Sequence, residues 1–377
     1  MQIFNVGPKI YLGECSVAPV LEGCDKVLIV TDKFMHESGK VKYITNYLYE
    51  TKVDFVIFSD VHPDPDIETV MAGLKCMKDS GLNSIVAMGG GSAIDAAKAI
   101  KYFYETSIDP TPMKFVIIPT TSGTGSEVSN YSVITNNETQ TKYPIVDDRL
   151  LATAAILDAD LVVSAPPTIT ADTGIDALTH ALEALVSNNR SDFSDAFAEK
   201  SARLIFENLL EAYETPTNLK ARQAVHNAAT MAGVAFSNAG LGLLHAMSHA
   251  LGAKLHLPHG KCNAILLPYV MDFNAGCSEK LTPVAQRYAE IARFLNLDNS
   301  GVRQGALSLI RALRTLIDRL NIPNSIKAAG VSKTDFMEIV EEMAETALND
   351  ATIKTNPVEC TKDDIISVYL SAYNGRY

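Results

Sequence analysis

The chain has 377 residues, 47% of them hydrophobic and 20% charged, enough for two domains that each bury an apolar core. A net charge of −12 and a pI of 5.2 argue against nucleic acid and anionic membrane surfaces as partners, because both require a concentrated basic face. Inorganic cations and small molecules remain.

The opening stretch MQIFNVGPKIYLGE lacks the basic-then-apolar layout of a signal peptide, and no apolar run reaches the ~18 residues of a membrane span. Six cysteines, Cys15, Cys24, Cys76, Cys262, Cys277 and Cys360, are scattered without a CxxC pair. Free thiols in a reducing cytoplasm look like this.

Up to residue 165, short apolar runs alternate with helical patterns. KVLIVTD (26–32), DFVIFSD (54–60), SIVAMGG (84–90) and FVIIPTT (115–121) each end in polar or glycine residues, the pattern of strands buried on both faces of a parallel sheet. DIETVMAGLKCMKDSG and SAIDAAKAIKYFYE between them read as helices. The alternation predicts a doubly wound α/β domain over residues 1–165.

Two loops in this half suit a nucleotide. Gly89, Gly90 and Gly91 form a turn between a strand and a helix, where free N–H groups and the helix dipole attract phosphate. Ser92 and Asp95 have the S-x-x-D spacing of a capping box, which needs no ligand. IPTTSGTGSEVSN (118–130) is a second loop, rich in hydroxyls, after another strand. Ligands of open α/β sheets sit at such strand ends. Asp32 closes the first apolar run; its carboxylate suits a ribose diol and repels a 2′-phosphate, favouring NAD, although a helix or turn cap is the commoner use of a lone Asp. It precedes the glycine loop, the reverse of the Rossmann fingerprint order.

The texture changes at SAPPTITADTG (164–174). Beyond it, patterns such as DALTHALEALV and ARQAVHNAATMAGVAF predict an all-helical domain over 166–377. Asp176 and His180 stand four apart, on one helical face, as do His245 and His249; His259 follows a Leu-Pro bend. One carboxylate and up to three imidazoles suit Fe(II) or Zn(II), and spacing alone points to His245 and His249 together. HAMSH lacks the glutamate of a zincin protease.

In this order, GGGSAIDAAKAI, PTTSGTGSE, TGIDALTHALEA and GLGLLHAMSHALGAKLHLPHG resemble the signatures of the iron-dependent (group III) alcohol dehydrogenase family, over essentially the whole chain. HPDPDIETV, SDFSDAFAEKSARLIF, HNAATMAGVAFSNAGLG and DATIKTNP are similar to the propanol dehydrogenases of propanediol-utilisation microcompartments. The resemblance implies a dinucleotide-binding domain with a parallel sheet, then an all-α metal-binding domain, the fold shared with dehydroquinate synthase. It implies metal ligation by Asp176, His180, His245 and His259, with His249 beside the substrate in a proton-handling role and His256 as a packing residue. For the cofactor it implies Asp32 at the adenosine ribose, Asp64 near the adenosine, Gly90, Gly91 and Ser92 at the pyrophosphate with Asp95 among the cofactor residues, Thr120, Thr121, Thr124 and Ser129 in the hydroxyl loop, and Lys142 near the nicotinamide ribose. Phe236 falls on a substrate-pocket wall.

The implied activity is an Fe(II)-dependent (or Zn(II)-dependent), NAD(H)-linked interconversion of a short-chain alcohol and its aldehyde, with propanal reduction first. Ethanol, lactaldehyde, 1,3-propanediol and butanol are the substrate alternatives; a dehydroquinate synthase-like lyase and a non-haem iron oxygenase are the chemical ones. A homodimer or larger homo-oligomer, in the cytoplasm or inside a microcompartment with its enzymes, is expected on the same ground. Asp64, where many members carry Asn, and Cys262, beside the metal residues, depart from the family pattern.

Overall fold

The computed structural model describes residues 3–13, 17–138 and 141–375; Cys15 lies outside them. In chain order the first half holds β1 (Lys9–Leu12), α1 (Ala18–Leu21), β2 (Lys26–Asp32), α2 (Lys33–Glu37), α3 (Lys42–Thr51), β3 (Asp54–Val61), α4 (Ile67–Ser80), β4 (Ser84–Gly89), α5 (Gly91–Ser107), β5 (Lys114–Pro119), β6 (Tyr131–Asn136), β7 (Thr141–Val146), β8 (Ala154–Leu157) and α6 (Ala159–Val162). The rest is helical: α7 (Pro167–Val186), α8 (Asp192–Glu214), α9 (Leu219–Ala239), α10 (Leu243–Leu255), α11 (His259–Ala275), α12 (Pro283–Phe294), α13 (Val302–Arg319), α14 (Lys333–Leu348) and α15 (Lys362–Asn374). Among the described residues no helix is long and apolar enough to cross a membrane.

Six strands form one parallel sheet in the order β1-β8-β5-β4-β2-β3. The continuous apolar runs are explained by its two faces. Leu28, Val30, Ile85, Ala87, Phe115 and Ile117 enter one core layer with α4 and α5. Their neighbours Val27, Ile29, Val86, Met88, Val116 and Ile118 enter the opposite layer with α1 and α3. In β2, β4 and β5, period-2 alternation therefore buries both faces, which is why no polar face shows in the sequence. The four strands expected from those runs are β2, β3, β4 and β5. The four-residue strands β1 and β8 and the antiparallel β6–β7 hairpin have no such run; β6 and β7 are half polar, and β7 contains Pro144.

The chain divides into two compact units: Asn5–Ala165 with Thr217–Ser237, and Met1–Phe4 with Pro166–Pro216 and Asn238–Tyr377. The chain passes from one unit to the other at Ala165/Pro166 and again on either side of residues 217–237. Residues 217–237 depart from the expectation of a purely C-terminal helical domain, because most of α9 packs with the sheet. The contact is glycine on glycine: Gly125 has φ +59°, and a Cβ there would lie 2.5 Å from Gly233 Cα. Gln223 on α9 also donates to Leu157 O and accepts from Ala159 N. Thr230 donates to the buried Glu127 at 2.5 Å.

His226 is buried on α9 with Nδ1 2.9 Å from Ser122 Oγ, and burial pushes its pKa down from 6.5 to about 4. Between those values the unfolded chain binds a proton that the native state refuses. The associated stability is present above pH 6.5 and lost as pH falls toward 4. Wild type should lose about 2 kcal/mol more than H226Q between pH 7 and 5, read from urea unfolding of the full chain.

Candidate metal centre and cofactor loops

α7 is buried almost throughout, yet Asp176, His180 and Glu183 recur along it one turn apart. Three buried polar groups on one helix face are costly unless each finds partners. The partners come from α10 and α11.

α10 begins at Gly242, which has no side chain to cap the helix. Its first amides are capped from elsewhere: Leu243 N–H donates to Asn356 Oδ1 at 3.0 Å and Leu244 N–H to Glu183 Oε1 at 2.9 Å. A Cβ on Gly242 would stand 2.8 Å from Asn356 Oδ1 and 2.9 Å from Glu183 Oε1, so only glycine admits both caps. The other oxygen of Glu183, Oε2, accepts from His245 Nδ1 at 2.6 Å. That bond fixes the tautomer and turns Nε2 toward Asp176 Oδ1, 3.7 Å away.

α10 ends at His256, a non-glycine residue in the left-handed region with φ 53°. Pro258 then starts α11, with His259 as the first helical residue. A Cβ on Gly260 would lie 2.1 Å from Asp172 O; the missing side chain lets α11 approach the α7 backbone and sets His259 Nε2 3.4 Å from Asp176 Oδ1.

Asp176, His180 and His245 offer donor atoms within 4.8 Å of one another, all buried; His259 adds the fourth from the half-exposed edge of the cluster. Burial by itself would raise the Asp176 carboxyl, but the imidazoles of His180, His259 and His245 outweigh it and hold the carboxyl well below the usual range. For His245, burial opposes a proton while Glu183 and Asp176 favour one, and the balance lifts its pKa to about 9. A carboxylate with three converging imidazoles, one locked in tautomer by a further carboxylate, fits Fe(II) or Zn(II).

His249 is not one of the convergent donors. Its Nδ1 lies 2.8 Å from Asp350 Oδ2, and its ring stacks on His259 with centroids 5.3 Å apart. The i, i+4 pair of His245 and His249 is thus divided between two carboxylates. Cys262 is fully buried, and burial pushes its thiol up to about 12. It is an inert neighbour of the cluster.

Sequence reasoning missed Glu183, Asn263, Asp350 and Asn356. Asn263 stands one turn beyond His259 and donates to Asp176 Oδ1 at 2.7 Å. Glu183 and Asn263 continue the polar faces of the helices that carry the histidines, which is a readable signal. Asp350 and Asn356 lie far along the chain with no periodicity to mark them.

In the sheet unit, β2 pairs with β4 and β4 with β5, so Asp32, Gly89–Ser92 and Thr120–Thr124 meet at adjacent strand ends. The strand order reverses between β2 and β4, the switch point where such sheets bind ligands. A Cβ on Gly91 would lie 2.9 Å from Thr124 Cγ2, so the two loops touch. Asp32 Oδ1 accepts from Met35 N at 2.9 Å. The cap and the strand-end carboxylate are therefore the same residue.

One expectation in this unit needs correction. Ser92 and Asp95 form no capping box, because α5 starts at Gly91 with Gly90 as its cap, and both lie inside the helix. Asp95 instead accepts from Ser126 Oγ at 2.9 Å and Val133 N at 3.2 Å. Ser129 is buried, its hydroxyl 3.1 Å from Lys98 Nζ. Lys98, itself fully buried, also donates to Ser126 Oγ, Ser129 O and Tyr131 O. Burial pushes its pKa down to about 8 against the opposing charges of Asp95 and Glu127. Asp95 and Ser129 therefore tie the hydroxyl loop to α5 and to the buried Lys98. Asp64 and Lys142, expected near the adenosine and near the nicotinamide ribose, form an exposed ion pair at 2.6 Å. Phe236 is buried on α9.

A family profile described as iron-containing alcohol dehydrogenase matches residues 8–159, and its C-terminal counterpart, the Fe-containing alcohol dehydrogenase family, matches 170–373. The 1-propanol dehydrogenase PduQ of Salmonella typhimurium is 41% identical, with 95% of this chain and 96% of that protein covered. An NADPH-dependent butanol dehydrogenase of Clostridium saccharobutylicum is 37% identical over 100% of this chain and 99% of its own length. The crystal structure of a 1,3-propanediol oxidoreductase superposes with a TM-score of 0.91 at 33% identity, covering 99% of this chain and 100% of that one.

G260A should weaken metal binding at least about tenfold, because the added methyl drives His259 away from Asp176. Chelator competition with Fe(II) or Zn(II), alongside an unchanged far-UV CD spectrum, checks it.

Proposed function

The chain belongs to the iron-containing alcohol dehydrogenase family, and on that premise we propose that it interconverts a short-chain primary alcohol and its aldehyde with NAD(H), working chiefly as a propanal reductase. The observation that carries the reading is the buried convergence of Asp176, His180 and His245. PduQ supports propanal as the aldehyde; the butanol dehydrogenase makes a longer chain the nearest alternative.

Asp176, His180, His245 and His259 would hold Fe(II), with Zn(II) able to satisfy the same donors. When bound, such an ion supplies Lewis acidity, which lowers the pKa of an alcohol and polarises an aldehyde carbonyl. Asp176 contributes the negative charge of the donor set. Glu183 keeps His245 in the tautomer that presents Nε2, and Asn263 steadies Asp176 from α11. His249, with 42% of its side chain exposed, exchanges the substrate proton with water. Asp32 receives the adenosine ribose diol, and the amides around Gly90, Gly91 and Ser92 receive the pyrophosphate. Thr120, Thr121 and Thr124 complete the cofactor site, with the Asp64–Lys142 pair at one end of the dinucleotide. Phe236 lines the substrate pocket. A homodimer and residence in the cytoplasm, within a propanediol-utilisation microcompartment, complete the proposal; light scattering and cofractionation with shell proteins decide both.

Stripped of metal and reloaded anaerobically with Fe(II), the protein should oxidise NADH with propanal faster than with acetaldehyde, lactaldehyde or butanal. Absence of net NADH oxidation with every aldehyde favours the lyase reading, and oxygen uptake without NADH the oxygenase. H249A should retain its metal and lose at least about a hundredfold in kcat at neutral pH; unchanged turnover removes His249 from the proton path. D32G should narrow the preference for NADH over NADPH, as measured by the ratio of their kcat/KM values. An unaltered ratio breaks the ribose assignment.

A further inference from the structure

We infer that Asp350 is the positioning residue of His249: its carboxylate holds the imidazole as the tautomer protonated at Nδ1 and keeps Nε2 open to accept the substrate proton. The inference rests on the proton-handling reading of His249 and adds the group that makes it work.

A carboxylate only accepts hydrogen bonds, so contact at 2.8 Å between Asp350 Oδ2 and His249 Nδ1 requires the proton on Nδ1. Asp350 cannot turn away, because its other oxygen, Oδ1, accepts from Thr352 N at 2.8 Å and Thr352 Oγ1 at 2.7 Å. These bonds cap the short 3-10 segment Ala351–Thr355. That segment is tied to the chain entering α10, the helix that carries His249: Thr355 Oγ1 donates to Leu241 O, and Asn356 Oδ1 accepts from Leu243 N. Both partners of the pair are thus referred to one frame. Burial would raise the Asp350 carboxyl, but His249 and the Thr352 bonds hold it well below the usual range, so it stays an acceptor.

Stability does not account for the pair. With side chains 42% and 20% exposed, the contact is open to water and adds little to stability. What it supplies is orientation. In alcohol oxidation the substrate O–H bond breaks as the Nε2–H bond forms, and the imidazolium then returns that proton to water; in aldehyde reduction the order reverses.

D350N is the test. Asn keeps the Oδ1 cap on Thr352, but its NH2 donates to Nδ1 and forces the proton onto Nε2. In zinc-loaded protein labelled with 15N-histidine, the His249 signals, assigned by their loss in H249A, should show a protonated Nδ1 in wild type and a protonated Nε2 in D350N. In the Fe(II)-loaded enzyme kcat should fall at least about tenfold with KM and metal content unchanged. D350S, which keeps a cap and lacks the acceptor, should fall similarly. Adding D350N to H249A should cost nothing more. Wild-type His249 protonated at Nε2, an unchanged kcat in D350N, or a full additional loss in the double variant overturns the inference. Full turnover in H249A would instead defeat the reading of His249 itself, while the 15N spectrum still reports whether Asp350 sets its tautomer.

Discussion

One buried carboxylate does two things at the centre of the helical unit. Glu183 caps the buried Leu244 amide at the start of α10 with one oxygen and holds the His245 imidazole with the other. The cap places the helix and the hydrogen bond places the ring, so His245 has no independent freedom. Removing one partner of such a buried charged contact typically costs about 3–5 kcal/mol, more than a single cap or a surface ion pair contributes. The rest of the cluster depends on this restraint: Asp176 and His180 come from the same helix as Glu183, and α11 closes on α7 through Gly260.

Two histidines of α10, four residues apart, are each held at Nδ1 by a carboxylate, and their surroundings differ. The Glu183–His245 contact is buried and presents Nε2 to other donor groups. The Asp350–His249 contact is partly open to water, where a proton can enter and leave. The proposed division between a metal-holding and a proton-handling imidazole rests on solvent access and on which second residue arrives.

The sheet unit obeys the same economy of contacts. Three strand ends, Asp32, the glycine turn and the threonine loop, meet because β2, β4 and β5 are neighbours. The hydroxyl loop is held from below by the buried Lys98 ammonium, whose acceptors are two serine hydroxyls and two backbone carbonyls. From the side it is held by α9, where Gly125 and Gly233 leave no room for a side chain. The loop's threonines owe their positions to these buried supports.

The sequence alone determined the fold class and four core strands, because hydrophobic periodicity is local and survives in one dimension; i, i+4 spacing paired Asp176 with His180 but also His245 with His249, and only the packing of α7, α10 and α11 separates His249 from the buried group Asp176, His180 and His245. The sequence also determined the strand-end loops, since glycine and hydroxyl residues after a buried strand have few other uses. Only the tertiary structure decided that α9 belongs with the sheet, that Asp95 and Ser129 face inward, and that Asp64 meets Lys142. It alone brought Asp350, Asn356 and Glu183 to α10, because each of those contacts joins residues at least sixty positions apart. No local pattern encodes such a pairing; it exists only once packed helices bring a carboxylate and an amide or imidazole to hydrogen-bond distance.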